Sequence, residues 1–184
     1  MSIDNRTLLG ALLFVGAAQF IFVIAIVEAL YPGYSVATNA LSDLGVGQTA
    51  LLFNASTAVF GAFALIGSLL GRRTLGTGLT ITLAVYGACS VGVGLFPETT
   101  GAPHSVITLG MLIFGAVSAI ISYRVLRPPL SYFSVGLGII ALAALVLAVT
   151  QHDLGIGRGG MERMIAYPIF LWALGFGGSL IGAK

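Results

Sequence analysis

The chain has 184 residues, of which 58% are hydrophobic and only 8% are charged, and its formal net charge is +2. Soluble domains carry about a quarter charged residues. This composition, with a mean hydropathy of +1.06, therefore excludes a water-soluble globular protein and predicts a chain surrounded by lipid. No basic run is dense enough to follow a phosphate backbone, which excludes nucleic acid as a partner. The length predicts one domain, residues 1–184, without a second globular unit.

Six apolar stretches are each long enough to cross a membrane, which takes about 20 residues. They cover residues 8–30, 50–70, 75–96, 104–123, 132–149 and 164–183. A chain in lipid must satisfy its own backbone hydrogen bonds, so we expect each stretch to be a helix. The first stretch is too long for the core of a secretory signal and is expected to remain as a membrane helix. The predicted fold class is all-α, a polytopic membrane protein with six transmembrane helices.

The cationic residues between the spans predict the orientation of the protein, because cations are enriched on the cytoplasmic side of membrane proteins. If both termini are cytoplasmic, six cations lie inside and only Arg158 and Arg163 lie outside. The six are Arg6, Arg72, Arg73, Arg124, Arg127 and Lys184. We therefore predict a multi-pass protein of the cell membrane with both termini in the cytoplasm.

Most of the acids and both histidines then meet at the outer membrane surface, where such a group of ionisable residues suggests a functional site. In the first outer segment, residues 35–45, apolar positions recur at helical spacing. This spacing predicts a short interfacial helix that ends at Gly45. On that helix Asn39, Ser42 and Asp43 would share one face. The alternative is that Ser42 and Asp43 only cap the second span.

The second outer segment places a histidine at the start of a helix. Pro97 ends the third span, and Pro103 suits the first turn of the fourth. His104 therefore begins the fourth helix, with Glu98 on a short tether nearby. A carboxylate at this position is expected to hold the tautomer of the imidazole or to share a metal ion with it.

The third outer segment, residues 151–163, is rich in glycine, which predicts a flexible or tightly turned chain. Glu162 is expected in the first turn of the sixth helix, where the helix dipole favours an acid. Arg163 carries a planar guanidinium that suits an anionic lipid headgroup. An ion pair between Arg163 and a neighbouring carboxylate is the alternative.

Three short motifs in these segments resemble those of a known family. They are Asn39-Ala-Leu-Ser42-Asp43-Leu-Gly45, then Phe96-Pro97-Glu98 followed by His104, and finally Glu162-Arg163 before the last span. In this order they resemble the motifs of an uncharacterised membrane-protein family catalogued as domain of unknown function nine-nine-eight (DUF998). The resemblance implies a six-helix membrane protein of bacteria and archaea, and it implies no particular activity.

Two functions fit the outer cluster. In the first, the protein is an outer-leaflet lipid hydrolase or transferase, in which Asp43, Glu98 and His104 are catalytic acid–base groups. The same three residues are the candidate ligands of a divalent metal. The sequence does not identify any other cofactor. The residues expected to bind substrate are Asn39, Ser42, Glu162 and Arg163.

In the second function, the same cluster binds or transports a lipid or a small solute without catalysis. Transporters usually place their sites near the middle of the membrane, and the spans carry no deep charge, which argues against an ion-coupled carrier. A purely structural role is a third alternative. No nucleophile elbow, zinc-helix motif or phosphate loop is present to define a reaction. Membrane lipids are the expected partners, and six short helices are compatible with a homo-oligomer.

Overall fold

Six long α-helices account for most of residues 4–182, the part of the chain that the computed structural model describes. They are α1 (Asn5–Leu30), α2 (Ala50–Leu70), α3 (Arg72–Leu95), α4 (Ala102–Ile121), α5 (Leu130–Val149) and α6 (Gly157–Gly182). Within the described residues these six helices are long and apolar enough to cross a membrane. The predicted all-α architecture with six spans is confirmed, and the chain is a multi-pass membrane protein.

The helix boundaries lie within three residues of the predicted ones at every end except the start of α6. A first turn of α3 begins at Arg72 and is separated from the rest by a kink at Gly76, where φ is 72°. The larger difference is α6, which begins at Gly157, whereas the prediction began at residue 164. The glycine-rich segment was expected to be a loop, but its last residues form the first turns of this helix. Glu162 and Arg163 therefore lie in the second turn of α6, not in the first turn as predicted.

The helices form a closed ring in chain order, in which each helix packs against the next and α1 also packs against α6. Small residues allow the closest approaches. A Cβ atom added to Gly87 on α3 would lie 2.5 Å from the backbone nitrogen of Leu65 on α2. A Cβ atom added to Gly10 on α1 would lie 2.6 Å from the carbonyl oxygen of Gly177 on α6. The close contact on α6 thus involves Gly177.

An aromatic cluster fills the interior of the ring. The ring centroids of Phe20 and Phe170 lie 5.2 Å apart, and those of Phe60 and Tyr86 lie 5.8 Å apart. Phe60 also contacts Phe170 at 6.2 Å, so the cluster joins α1, α2, α3 and α6. Edge-on aromatic packing of this kind stabilises a core beyond the burial of area alone.

The connections alternate between the two ends of the ring. The loops of residues 31–49, 96–101 and 150–156 lie at one end, which we call the acidic end because most of the acidic residues lie there. The opposite end, which we call the basic end, carries Arg6, Arg72, Arg73, Arg124 and Arg127. All residues of the predicted site belong to the acidic end.

Candidate functional site

The loop of residues 31–49 is folded by its own side chains and not by an interfacial helix. In place of that predicted helix, the loop has irregular turns and two short 3₁₀ segments, Ser42–Gly45 and Gly47–Thr49. Asp43 Oδ2 accepts hydrogen bonds from the backbone nitrogen of Ala40 at 3.0 Å and from Asn39 Nδ2 at 3.1 Å. Asn39 Oδ1 in turn accepts one from the Ser35 backbone nitrogen at 3.0 Å. Asn and Asp side chains that bond the nearby backbone compete with helix formation, which explains why the predicted helix is not formed.

Arg163 is buried at the centre of the acidic end and is surrounded by acceptors from the protein. Its Nη2 donates to Glu28 Oε1 on α1 at 2.6 Å and to the hydroxyl of Tyr34. Its Nη1 donates to the carbonyl oxygens of Gly159 at 2.9 Å and of Asn39 at 3.2 Å. Only 6% of the residue is exposed. The guanidinium therefore ties α6 to α1 and to the first loop, and its forked donors are directed at the protein and not at lipid.

Tyr34 completes the surroundings of this arginine. The guanidinium carbon of Arg163 lies 5.5 Å from the centroid of the Tyr34 ring. Burial raises the pKa of the Tyr34 hydroxyl above its usual value, although the hydrogen bond from Arg163 acts in the opposite direction. The hydroxyl is therefore neutral at physiological pH. The sequence placed Glu28 at this surface but did not single out Glu28 or Tyr34, and an acid at a helix end was the available signal.

Glu162 connects α6 to the first loop from the other side. Its Oε2 accepts a hydrogen bond of 2.7 Å from the backbone nitrogen of Leu41. The pairing joins residues 121 positions apart in sequence. Because Glu162 lies in the second turn, this loop amide, and not the free amides of the first turn of the helix, stabilises its carboxylate.

His104 occupies the first turn of α4, as the position of Pro103 predicted. Its Nδ1 lies 2.8 Å from the carbonyl oxygen of Phe96. A carbonyl only accepts hydrogen bonds, so Nδ1 carries the proton and Nε2 is the acceptor when the ring is neutral. Nε2 lies 3.3 Å from Thr108 Oγ1. The expectation that Glu98 would orient this ring is wrong, because the carbonyl at the end of α3 does so.

Glu98 instead forms an ion pair across the acidic end. Its Oε1 accepts from Arg158 Nη2 at 2.7 Å, and the two side chains are 31% and 65% exposed. The pair links the second loop to the start of α6. Arg158 thus provides the exposed cation at this end, while Arg163 is enclosed.

A cavity of about 590 Å³ lies between the ends of α4, α5 and α6 at the acidic end. It brings together four of the predicted site residues, Ser42, Glu98, His104 and Glu162. Further polar residues in its lining are Ser105, Thr108, Gln151, His152, Asp153 and Arg158. Its apolar walls are Leu109, Leu112, Ala148, Met161 and Ile165. Among the described residues, Asn39, Asp43 and Arg163 support the surrounding backbone without lining this cavity.

A second, much smaller chamber of about 40 Å³ lies deeper, against the aromatic cluster. It shares Ser42, His104, Thr108, Leu112 and Glu162 with the large cavity. The remaining walls include Phe20, Phe53, Phe60, Tyr86 and Phe170. Glu162 and His104 therefore lie at the junction between a polar cavity and an aromatic interior.

The candidate metal ligands are not assembled into one site. Within residues 4–182, no three His, Cys, Asp or Glu side chains form a set that could hold a metal ion. Asp43 is engaged by loop amides, Glu98 by Arg158, and His104 by the Phe96 carbonyl. Each predicted ligand thus has a different neighbour, and the three do not share a point at which an ion could be bound.

Comparison with known proteins identifies the family but no characterised relative. The family described as protein of unknown function (DUF998) matches residues 14–178, which cover α2 to α5 completely and most of α1 and α6. No curated protein and no solved structure gives a significant match to the chain.

Proposed function

We propose that this chain, which belongs to the DUF998 family of membrane proteins, binds the headgroup end of a membrane lipid in the cavity at its acidic end. The observation that carries this proposal is the division of the cavity into a polar part and an apolar part. Ser42, Glu98, His104 and Arg158 line the polar part, and leucine, methionine and isoleucine side chains line the rest. A lipid has the same division between headgroup and acyl chain.

The depth of the cavity supports a lipid over a water-soluble ligand. Leu109 and Leu112 lie seven and ten residues after Ala102, the first residue of α4. At a rise of 1.5 Å per residue, they are about 10 and 15 Å along the helix. Ser105 and Leu109 are also exposed, Leu109 by 44%. The cavity is thus open along this part of α4.

We further propose that the acidic end is extracytoplasmic and that the protein lies in the cell membrane with both termini in the cytoplasm. The support is the distribution of arginines described above, since cations are enriched in cytoplasmic loops. The bound lipid then belongs to the outer leaflet. A test of this orientation is described in the Discussion.

The second candidate function is hydrolysis or transfer of that lipid, and the fixed tautomer of His104 favours it. Nε2, held free of a proton by the Nδ1 hydrogen bond to Phe96, has the state of a general base. In a hydrolysis, Nε2 would take a proton from a water molecule whose oxygen attacks an ester carbonyl. The same proton would then go to the departing alcohol oxygen. Ser42 and Glu162 line the cavity beside this ring and would orient the reacting groups, while Asn39, Asp43 and Arg163 hold the supporting loop.

Lipid binding is tested with a pair of tryptophan variants on one turn of α4. Ser105 lines the cavity, and its neighbour Val106 is 72% exposed and lies outside the lining. We expect Ser105→Trp to reduce the lipid that the purified protein retains in native mass spectrometry about tenfold. Val106→Trp should retain as much as the unmodified protein. Equal retention in both variants would show that lipid is bound elsewhere.

Catalysis is tested separately with a fluorescent phospholipid incubated with the protein in vesicles. His104→Gln should abolish release of the fluorescent product if Nε2 is the base, and lipid retention by the same variant separates a loss of chemistry from a loss of binding. If the unmodified protein retains lipid but releases no fluorescent product, lipid binding without catalysis is the function.

A further inference from the structure

The cavity has an excess of negative charge. Its lining includes three carboxylates, Glu98, Asp153 and Glu162, and one guanidinium, Arg158. Arg158 and Glu98 compensate each other at 2.7 Å. Two carboxylates therefore remain when the histidines are neutral. An anionic headgroup would be repelled by this charge, and a cationic one would be attracted.

The two remaining carboxylates differ in their surroundings. Asp153 is exposed, and its Oδ1 accepts a hydrogen bond of 3.0 Å from the backbone nitrogen of Gly155 in its own loop. Glu162 lies at the junction of the cavity and the aromatic chamber. Its Oε2 accepts a hydrogen bond from the Leu41 amide, and within residues 4–182 the carboxylate has no ion pair. Arg163, its neighbour in sequence, is paired with Glu28 instead.

An ionised group at membrane depth without a counter-ion is costly. The free energy of the protein is therefore lowered by any ligand that brings a positive charge to Glu162. The Leu41 amide donates to Oε2 of this carboxylate. Glu162 lies on the wall that both cavities share.

The other polar groups around this point are also acceptors. His104 presents Nε2 without a proton, since Nδ1 donates to the Phe96 carbonyl. The hydroxyl of Ser42 lines the same junction and can accept as well as donate. A primary ammonium has three donors and no acceptor. Its hydrogen-bonding capacity thus matches the side chains present.

The aromatic chamber beyond the junction adds a second form of recognition. Its volume of about 40 Å³ holds about three groups of the size of a water molecule, which is enough for an ammonium group. Phe20, Phe60 and Phe170 are among its walls. Aromatic faces attract cations, and more strongly where water is excluded.

We infer that the lipid bound in this cavity carries a protonated amine in its headgroup and that this amine forms an ion pair with Glu162. The inference rests on the proposed function, because it requires the lipid to enter the cavity. The amine lies at the junction, with Glu162 and His104 as acceptors and the phenylalanine rings beyond it. The acyl chain follows the apolar wall along α4 toward the surrounding lipid.

The test uses three amphiphiles that share one ten-carbon chain: decylammonium, decanol and decanoate. Each is titrated by calorimetry into the protein in an uncharged maltoside detergent at neutral pH, and binding to protein-free micelles is subtracted. We expect decylammonium to bind about tenfold more tightly than the other two. Glu162→Gln should remove this preference, so that decylammonium and decanol bind with similar affinity. The matched control Asp153→Asn, which removes the other carboxylate, should keep the preference.

Two other outcomes separate this inference from the proposed function. If the three amphiphiles bind equally and Ser105→Trp weakens all of them, the cavity binds lipids but Glu162 does not select an amine. If none of them binds, both proposals are wrong. The comparison of decylammonium with decanol in the unmodified protein decides the inference even if Glu162→Gln does not fold.

Discussion

Arg158 and Arg163 show how two arginines on one helix, five residues apart, have different physical roles. The Arg158 side chain is 65% exposed and pairs with Glu98 at 2.7 Å. The Arg163 side chain is 7% exposed and pairs with Glu28 at 2.6 Å. Exposed pairs add little to stability because water solvates both partners. A buried charge that loses its partner is strongly destabilising.

This difference leads to a prediction for stability. Arg163→Gln should lower the free energy of unfolding by about 3 kcal/mol, since it leaves the Glu28 carboxylate and several carbonyl groups without a donor. Arg158→Gln should change it by less than about 1 kcal/mol. The measurement is thermal unfolding of both variants in detergent.

A double substitution separates the ion pair from the hydrogen bonds to the loop. Glu28→Gln in the Arg163→Gln protein should recover part of the lost stability, because no uncompensated charge remains. The carbonyls of Asn39 and Gly159 would still lack their donor. Equal unfolding temperatures for Arg163→Gln and Arg158→Gln would contradict the role given to Arg163.

For individual residues, the sequence predicted position along the membrane normal better than it predicted contacts. The charged residues of the site were correctly placed at helix ends, because charges are expelled from the hydrocarbon. Their partners were not predicted, because Glu28 and Arg163 are 135 residues apart and hydrophobicity carries no information about rotation within a ring. His104 was found through Pro103, a local signal, but its true partner is a backbone carbonyl, which any residue provides.

At the level of elements, α2 and α3 pack closely because the glycines between them have no side chain. A Cβ atom on Gly87 would lie 2.5 Å from the Leu65 nitrogen and 2.7 Å from the Gly61 carbonyl oxygen. These are backbone atoms, which move only if the helices separate. Without a hydrophobic driving force between helices in lipid, such close packing is a main source of association.

Two alanine substitutions on α3 test this packing. Gly87→Ala should lower the free energy of unfolding by about 1–3 kcal/mol, the usual cost of overpacking. Gly78→Ala is the control, because a Cβ atom there meets no heavy atom within 4 Å and the residue is exposed. Gly78→Ala should leave stability unchanged or slightly raised, since alanine favours helix. The measurement is thermal unfolding in detergent, and equal changes in both variants would mean that the close packing at Gly87 does not limit stability.

The six helices were predictable and the first loop was not, for physical reasons that particular residues show. Lipid leaves helices as the only form for long apolar stretches, so composition alone located them. The glycines at 155–160 were interpreted as a turn, yet Gly159 lies in α6 beneath the carbonyls of Val36 and Asn39. Its backbone nitrogen also donates to the Ala37 carbonyl at 3.0 Å. Glycine serves both turns and close contacts, and the sequence does not distinguish these uses.

For the whole molecule, the two ends differ more in charge than the sequence alone indicates. Both ion pairs that join side chains within residues 4–182 are at the acidic end. Arg158 and Arg163 are therefore compensated. The basic end has five arginines in the described chain, and none of them is in either pair. Orientation in the membrane follows the number of cations near the ends of the spans and not the net charge, and within residues 4–182 five arginines lie at the basic end against two at the acidic end.

Cysteine labelling tests the orientation that follows from this distribution of arginines. The single native cysteine is removed by Cys89→Ser, and new cysteines are placed by Thr99→Cys at the acidic end or by Arg127→Cys at the basic end. Both positions are exposed. In intact cells, a maleimide that does not cross membranes should label the Thr99→Cys protein. The Arg127→Cys protein should react only after lysis, because four other arginines still hold that end in the cytoplasm.

The reverse labelling pattern would mean that the cavity lies in the cytoplasmic leaflet, with the same lining residues. In that case the lipid retained by the unmodified protein and lost in Ser105→Trp would come from the inner leaflet, and Glu162 would still face an amine. Labelling of both cysteines in intact cells would instead indicate two orientations in one membrane. That outcome would contradict the arginine argument itself, because an excess of five basic-end arginines over two acidic-end arginines would then be too weak a signal to fix the orientation of the chain.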